Sequence, residues 1–228
     1  MRIPVTVLLA ATWLALILPD RLGAHSSGLL GASLAIALVA LDAWPVRLLG
    51  TWSGSGFFTA LCAGVTSYPL VLLMSRFSTA LVSSIESPAH RLSPQDWASA
   101  ITAICLAPVF EEYVFRGRVL DHLGLRLGVA PAVVISAVLF SAFHDSPTLL
   151  LGTFLAGLVL GVLRIATGSL GPCIAYHSGL NIAVLWAVAV PSPGPVLAVA
   201  LTCVSLLCLL LTLKRVQWKS NDGIESMT

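Results

Sequence analysis

The sequence predicts an all-α fold, a polytopic membrane bundle of about eight helices, on three observations. Hydrophobic residues make up 57% of the 228 and charged residues only 10%, where an ordinary soluble domain carries about 25% charged residues. Mean hydropathy is +0.97. The apolar residues fall in long continuous runs rather than in alternation, which argues against a membrane β-barrel and for helices that satisfy their own backbone in lipid.

The first run, Ile3 to Leu18, follows Arg2 and precedes Gly23 and Ala24, the layout of a secretory signal peptide. The polar break Pro19-Asp20-Arg21, with apolar chain resuming soon after, favours a first transmembrane helix instead. Further helices are expected from Leu29 to Trp44, Phe57 to Met74, Trp97 to Phe115, Ala130 to Phe143, Thr148 to Leu163, Leu170 to Val190 and Val196 to Leu213. Polar, Gly and Pro residues punctuate them, and Gly117 to Gly128 reads as one such loop. Thr167, Gly168 and Ser169 form a turn ahead of Pro172, which suits a first helical turn. The run from Ala130 to Phe143 falls short of the ~20 residues of a perpendicular span, so it suits a buried or re-entrant helix equally well. The tail from Lys214 to Thr228 is polar and expected to fray. The chain thus divides into N-terminal transmembrane helices (1–95), a central core (96–190), and a final transmembrane helix with its tail (191–228), all within one integrated membrane domain.

Net charge is +2 with no charge run, so nucleic acid is not an expected partner and the lipid bilayer is. Arg2, Arg47, Arg118, Arg126, Arg164, Lys214, Arg215 and Lys219 fall on one side of an eight-span arrangement, and Arg21, Arg76 and Arg91 on the other. The positive-inside rule then puts both termini in the cytoplasm, in a plasma (inner) membrane. Cys62, Cys105, Cys173, Cys203 and Cys208 all lie in apolar stretches without CxxC spacing and read as small buried residues. His25, His90 and His122 fall in loops, and the six tryptophans near span ends read as interface anchors.

The chemistry is expected where charge is embedded in apolar chain. Glu111, Glu112 and Arg116 lie inside the run Thr102 to Leu120, where a central ionised side chain costs at least ~2.5 kcal/mol on insertion scales. Glu112 and Arg116 are four apart and can pair, while Glu111 is turned about 100° away and is left for another partner. A packing ion pair near a helix end accounts for one glutamate but not for the second. Phe140 and His144 share one helix face, and His177 and Asn181 share another. A lone histidine in an apolar helix is most simply a satisfied core residue. Two histidines with two glutamates in neighbouring segments point instead to one polar cavity. One conflict stands on this topology: Glu111 lies toward the inner end of its helix and His144 toward the outer end of the next, so straight spans would keep them apart.

Glu111-Glu112-Tyr113-Val114-Phe115-Arg116 reads as EExxxR, Phe140 to His144 as FxxxH, and His177 to Asn181 as HxxxN. In that order they resemble the CPBP family of intramembrane proteases, which includes CAAX prenyl endoproteases of the Ras-converting type and bacterial abortive-infection proteins. Pro108, Gly117 and Thr167 to Leu170 extend the resemblance over about Asp96 to Val190. The resemblance implies that Glu111, helped by His144, activates water, that His177 and Asn181 stabilise the oxyanion, and that Glu112, Arg116 and Phe140 support them. It implies an endopeptidase cutting near the C-terminus of a membrane-associated or lipidated protein or peptide. The alternative is a transporter or immunity-type binding protein using the same groups without catalysis. No cofactor is expected, HExxH being absent; zinc held by Glu111, His144 and His177 is the alternative.

Overall fold

A computed structural model describes residues 54–69, 100–144, 150–189 and 194–225, together with positions 4 and 7. Every regular element among them is helical. Helix α1 is Gly54–Thr66. A broken helical run then comprises a first π segment Thr102–Leu106, α2 Ala107–Glu112, a second π segment Tyr113–Val119 and α3 Leu120–Leu127. It is followed by α4 Val129–Ala142, α5 Leu150–Thr167, α6 Gly171–Ala189 and α7 Pro195–Glu225. The expected helices Ile3 to Leu18 and Leu29 to Trp44 lie outside the described residues, apart from positions 4 and 7.

Two expectations change. The stretch Gly117 to Gly128, whose Gly and charged residues read as loop, is helical up to Leu127. One of its charges is paired across the bundle: Arg164 Nη2 donates to Asp121 Oδ2 at 3.2 Å. The chain turns only at Gly128, whose φ of 83° lies in the left-handed region that favours glycine. The C-terminal stretch beyond Lys214 continues as helix to Glu225 instead of fraying at once.

This late turn resolves the depth conflict. Glu111 is not at the end of its helix, because the run continues sixteen residues to Leu127. Val129–Ala142 then packs back along it, and fourteen residues at about 1.5 Å each return His144 toward the level of Glu111.

Helices α5 and α7 contain windows long and apolar enough to cross a membrane, Leu150–Thr167 and Pro195–Lys214. Their outer faces carry exposed Leu151, Leu155, Val162, Leu206, Leu207 and Leu210, a surface suited to lipid contact. Inside, two apolar clusters form. One joins Phe110, Val114, Phe115 and Val119 to Phe140; the other joins Ala60 and Ala63 of α1 to Leu160, Cys173 and Tyr176.

Because lipid provides little hydrophobic drive between helices, close backbone approach and buried hydrogen bonds hold the bundle. A Cβ on Gly64 would come within 2.8 Å of Gly179 Cα and collide with Tyr176 O, so α1 and α6 touch backbone to backbone. On α5, Gly157 lies against Ala137 and Gly161 against Val133 of α4. Ser67 Oγ and Ser205 Oγ both donate to Ala63 O, at 2.8 and 2.9 Å, tying α7 to the end of α1.

Candidate active site

Helical spacing puts Glu112 and Arg116 on one face, and both are fully buried. Arg116 Nη1 donates to Glu112 Oε1 at 3.0 Å, and Nη2 donates to Gly157 O on α5 at 3.2 Å. The guanidinium carbon lies 4.3 Å from the centroid of Phe140, so the charge rests on an aromatic face. A glycine at position 157 lets α4 and α5 approach closely enough for this carbonyl to be reached.

Glu112 Oε1 is also 2.8 Å from His177 Nδ1. A carboxylate paired with arginine only accepts, so Nδ1 carries the proton and Nε2 is the free end of the ring. His144 is oriented in the same way by a different group. Its Nδ1 lies 2.9 Å from Phe140 O, and a carbonyl cannot donate, so Nδ1 is again protonated and Nε2 free. Phe140 stands edge-on to both imidazoles, with centroids 4.7 Å from His144 and 5.6 Å from His177.

The two free Nε2 atoms face the same carboxylate oxygen. Glu111 Oε2 lies 4.0 Å from His144 Nε2 and 3.8 Å from His177 Nε2. It is enclosed and has no hydrogen-bond partner. Three lone-pair acceptors therefore converge with no proton between them. The arrangement suits a water that donates both hydrogens, or an extra proton on one of the rings.

Histidines whose Nδ1–H is fixed by a carboxylate or carbonyl are also a common support for metal ligands. Tetrahedral zinc with bonds of ~2.0–2.1 Å brings its donor atoms about 3.3 Å apart, closer than the 3.8 and 4.0 Å here. Among the described residues no group of three His, Cys, Asp or Glu side chains is arranged to hold a metal ion. As they stand, Glu111, His144 and His177 do not fit a shared ion.

Asn181 sits one turn beyond His177, and one N–H of its Nδ2 donates to Ala103 O in the first π segment at 2.7 Å, which leaves the second N–H of the amide. The second π segment is held in a similar way. Ser136 Oγ donates to Phe115 O at 3.0 Å, and Arg164 Nε to Arg116 O at 3.3 Å. Sequence reasoning missed both π segments and these side chains, together with Gly157. The one sequence signal was Pro108 inside an otherwise helical run, since an internal proline disturbs the hydrogen-bond ladder.

Fold and site together define an all-α protein with membrane-length helices and a buried glutamate–histidine–arginine cluster suited to proton transfer. The segment carrying the cluster also identifies a family: residues 93–183 match the model for the Type II CAAX prenyl endopeptidase Rce1-like family. Over those residues the chain carries a domain of this family of polytopic intramembrane proteases. No curated protein and no solved structure shows significant similarity to the chain.

Proposed function

We propose that the chain hydrolyses a peptide bond near the C-terminus of a membrane-associated or lipidated protein or peptide. The observation that carries this reading is the convergence of Glu111 Oε2 with the free Nε2 atoms of His144 and His177, each ring oriented from behind. A water in that space donates one hydrogen to Glu111 and one to His144 Nε2. Glu111 is the base that takes its proton as it attacks the scissile carbonyl, and His144 orients it. His177 takes part as the imidazolium, with Nε2–H donating to the oxyanion as charge develops there. Glu112 accepts from Nδ1–H on the far side of that ring, and Arg116 donates to Glu112 and holds it in place. The proton taken by Glu111 then passes to the leaving amine.

Protein groups suffice for each of these steps, so the proposed enzyme works without a cofactor. It is an inner-membrane bundle of about eight helices with cytoplasmic termini, in which residues 96–190 form the catalytic core between the N-terminal helices of 1–95 and the final helix and tail of 191–228. Substrates reach the site from the bilayer, as suits lipidated tails.

Comparing protein C-termini in membranes bearing the wild type or Glu111→Gln tests the proposal. Shortened C-termini that depend on Glu111 are expected. Unaltered processing by a Glu111→Gln protein present at wild-type level would overturn it and favour a transporter or binding protein.

A further inference from the structure

We infer that Arg164 is a positioning residue: it donates to the backbone carbonyl that the second π segment leaves without a ladder partner, Arg116 O, and so fixes the arginine that holds Glu112 behind His177. This rests on the protease reading above. At the end of the π segment Tyr113–Val119 the Leu120 N–H reaches five residues back, to Phe115 O. Once α3 resumes the four-residue step, the Asp121 N–H falls to Gly117 O, and Arg116 O is passed over. Arg116 is fully buried, so solvent cannot satisfy that carbonyl. The atom that reaches it is Arg164 Nε, at 3.3 Å.

Gly157 and Arg164 are seven residues apart on α5, two turns along one face. Gly157 O accepts from Arg116 Nη2 at 3.2 Å while Arg164 Nε donates to the Arg116 carbonyl, so a single helix holds this arginine at both its guanidinium and its backbone. Asp121 steers the second contact: both its oxygens accept from Arg164 Nη2, at 3.4 and 3.2 Å, which turns Nε toward the carbonyl. Arginine suits this place because two nitrogens of one rigid plane serve two acceptors at once. From Arg116 the contacts run inward, through Nη1 to Glu112 Oε1 at 3.0 Å and from there to His177 Nδ1 at 2.8 Å. A shift of the π turn at Arg116 therefore moves the carboxylate that orients the His177 ring. Arg164 acts on catalysis along this path without touching the substrate.

Two substitutions of equal length test the inference. Counted from Cα, glutamine Nε2 and methionine Cε both take the place of arginine Nε, so Arg164→Gln keeps a donor for Arg116 O and Arg164→Met does not. Both lose the ion pair with Asp121. Cleavage kinetics, normalised to folded protein, and accumulation in membranes are measured for these two variants and for Glu111→Gln. Arg164→Met is expected to lower kcat by about three- to twentyfold, the equivalent of one interhelical hydrogen bond in a membrane protein, with KM little changed. Arg164→Gln is expected to recover most of that loss. Equal kcat in the two variants, at whatever level, overturns the inference, because Arg164 would then be no more than a partner for Asp121; so does a loss confined to KM. If Arg164→Met fails to accumulate, an Arg164→Gln protein that accumulates with kcat near the wild type is expected, and any other result overturns the inference. Glu111→Gln separates the two readings: full activity there defeats the protease site itself, whereas a dead Glu111→Gln beside equal Arg164 variants defeats only the role of Arg164.

Discussion

Replacing Arg116 by methionine removes the positive charge from a pair that has no contact with solvent. Arg116 and Glu112 are each 0% exposed and meet at 3.0 Å, so Arg116→Met leaves a carboxylate buried with no cationic partner but His177. Breaking a buried pair from one side costs about 3–5 kcal/mol. For a chain of 150–250 residues, 1 kcal/mol corresponds to roughly 2–4 °C, so the melting temperature is expected to fall by about 6–20 °C. Glu112→Gln strands the guanidinium instead and should cost a similar amount. The double variant Glu112→Gln/Arg116→Met leaves no stranded charge, so it should recover more than half of either single loss. Thermal unfolding in detergent measures all three. Losses that simply add in the double variant would refute the pairing. The double variant also separates stability from chemistry, because it takes away the carboxylate that accepts from His177 Nδ1–H. Its kcat should remain depressed by about 10²- to 10³-fold, the size of a lost oxyanion donor, even where its melting temperature recovers.

Gly64→Ala and Gly179→Ala each drive a methyl into the facing backbone of α1 or α6, an overpacking of about 1–3 kcal/mol or more that displaces His177; both should lose activity and melt earlier. Gly124→Ala is the control, with nothing within 4 Å of its added methyl, and is expected to stabilise by about 0.5–1 kcal/mol. A destabilised Gly124→Ala beside a tolerated Gly64→Ala would contradict the packing described. Phe140→Leu keeps much of the buried volume but removes the ring beneath Arg116 and beside both imidazoles. Its kcat should fall further than its stability, since the cation–ring contact contributes no more than about 2 kcal/mol. Dialysis of the purified protein against a strong chelator is expected to leave cleavage unchanged. Loss of activity restored by zinc would show that Glu111, His144 and His177 close around an ion.

Much of the fold was legible because membrane helices announce themselves by length and continuous apolarity. The expected run Ala130 to Phe143 corresponds to α4 at Val129–Ala142, and Leu170 to Val190 to α6 at Gly171–Ala189. Charged residues in apolar chain were equally visible, and the four-residue spacing of Glu112 and Arg116 was enough to pair them, since neighbours within one helix follow from its period. The run from Gly117 to Leu127 was misread for the converse reason. Its Gly and charged residues look like a loop when counted singly, but Asp121 is compensated by Arg164, which is distant in sequence.

What the sequence by itself determined, then, is the helical membrane class, the embedded charges and every contact that a single helix period dictates. Tertiary structure decided which residues meet across helices: Glu112 behind His177, Glu111 beside both imidazoles, Gly157 O on Arg116 and Asn181 on Ala103 O. Those contacts depend on where the chain turns, at Gly128, and on two π segments that change the helix phase around Glu111 and Glu112. Phase and depth are sums over a whole bundle, set by close glycine contacts and by donors arriving from other helices, so no local pattern of residues specifies them.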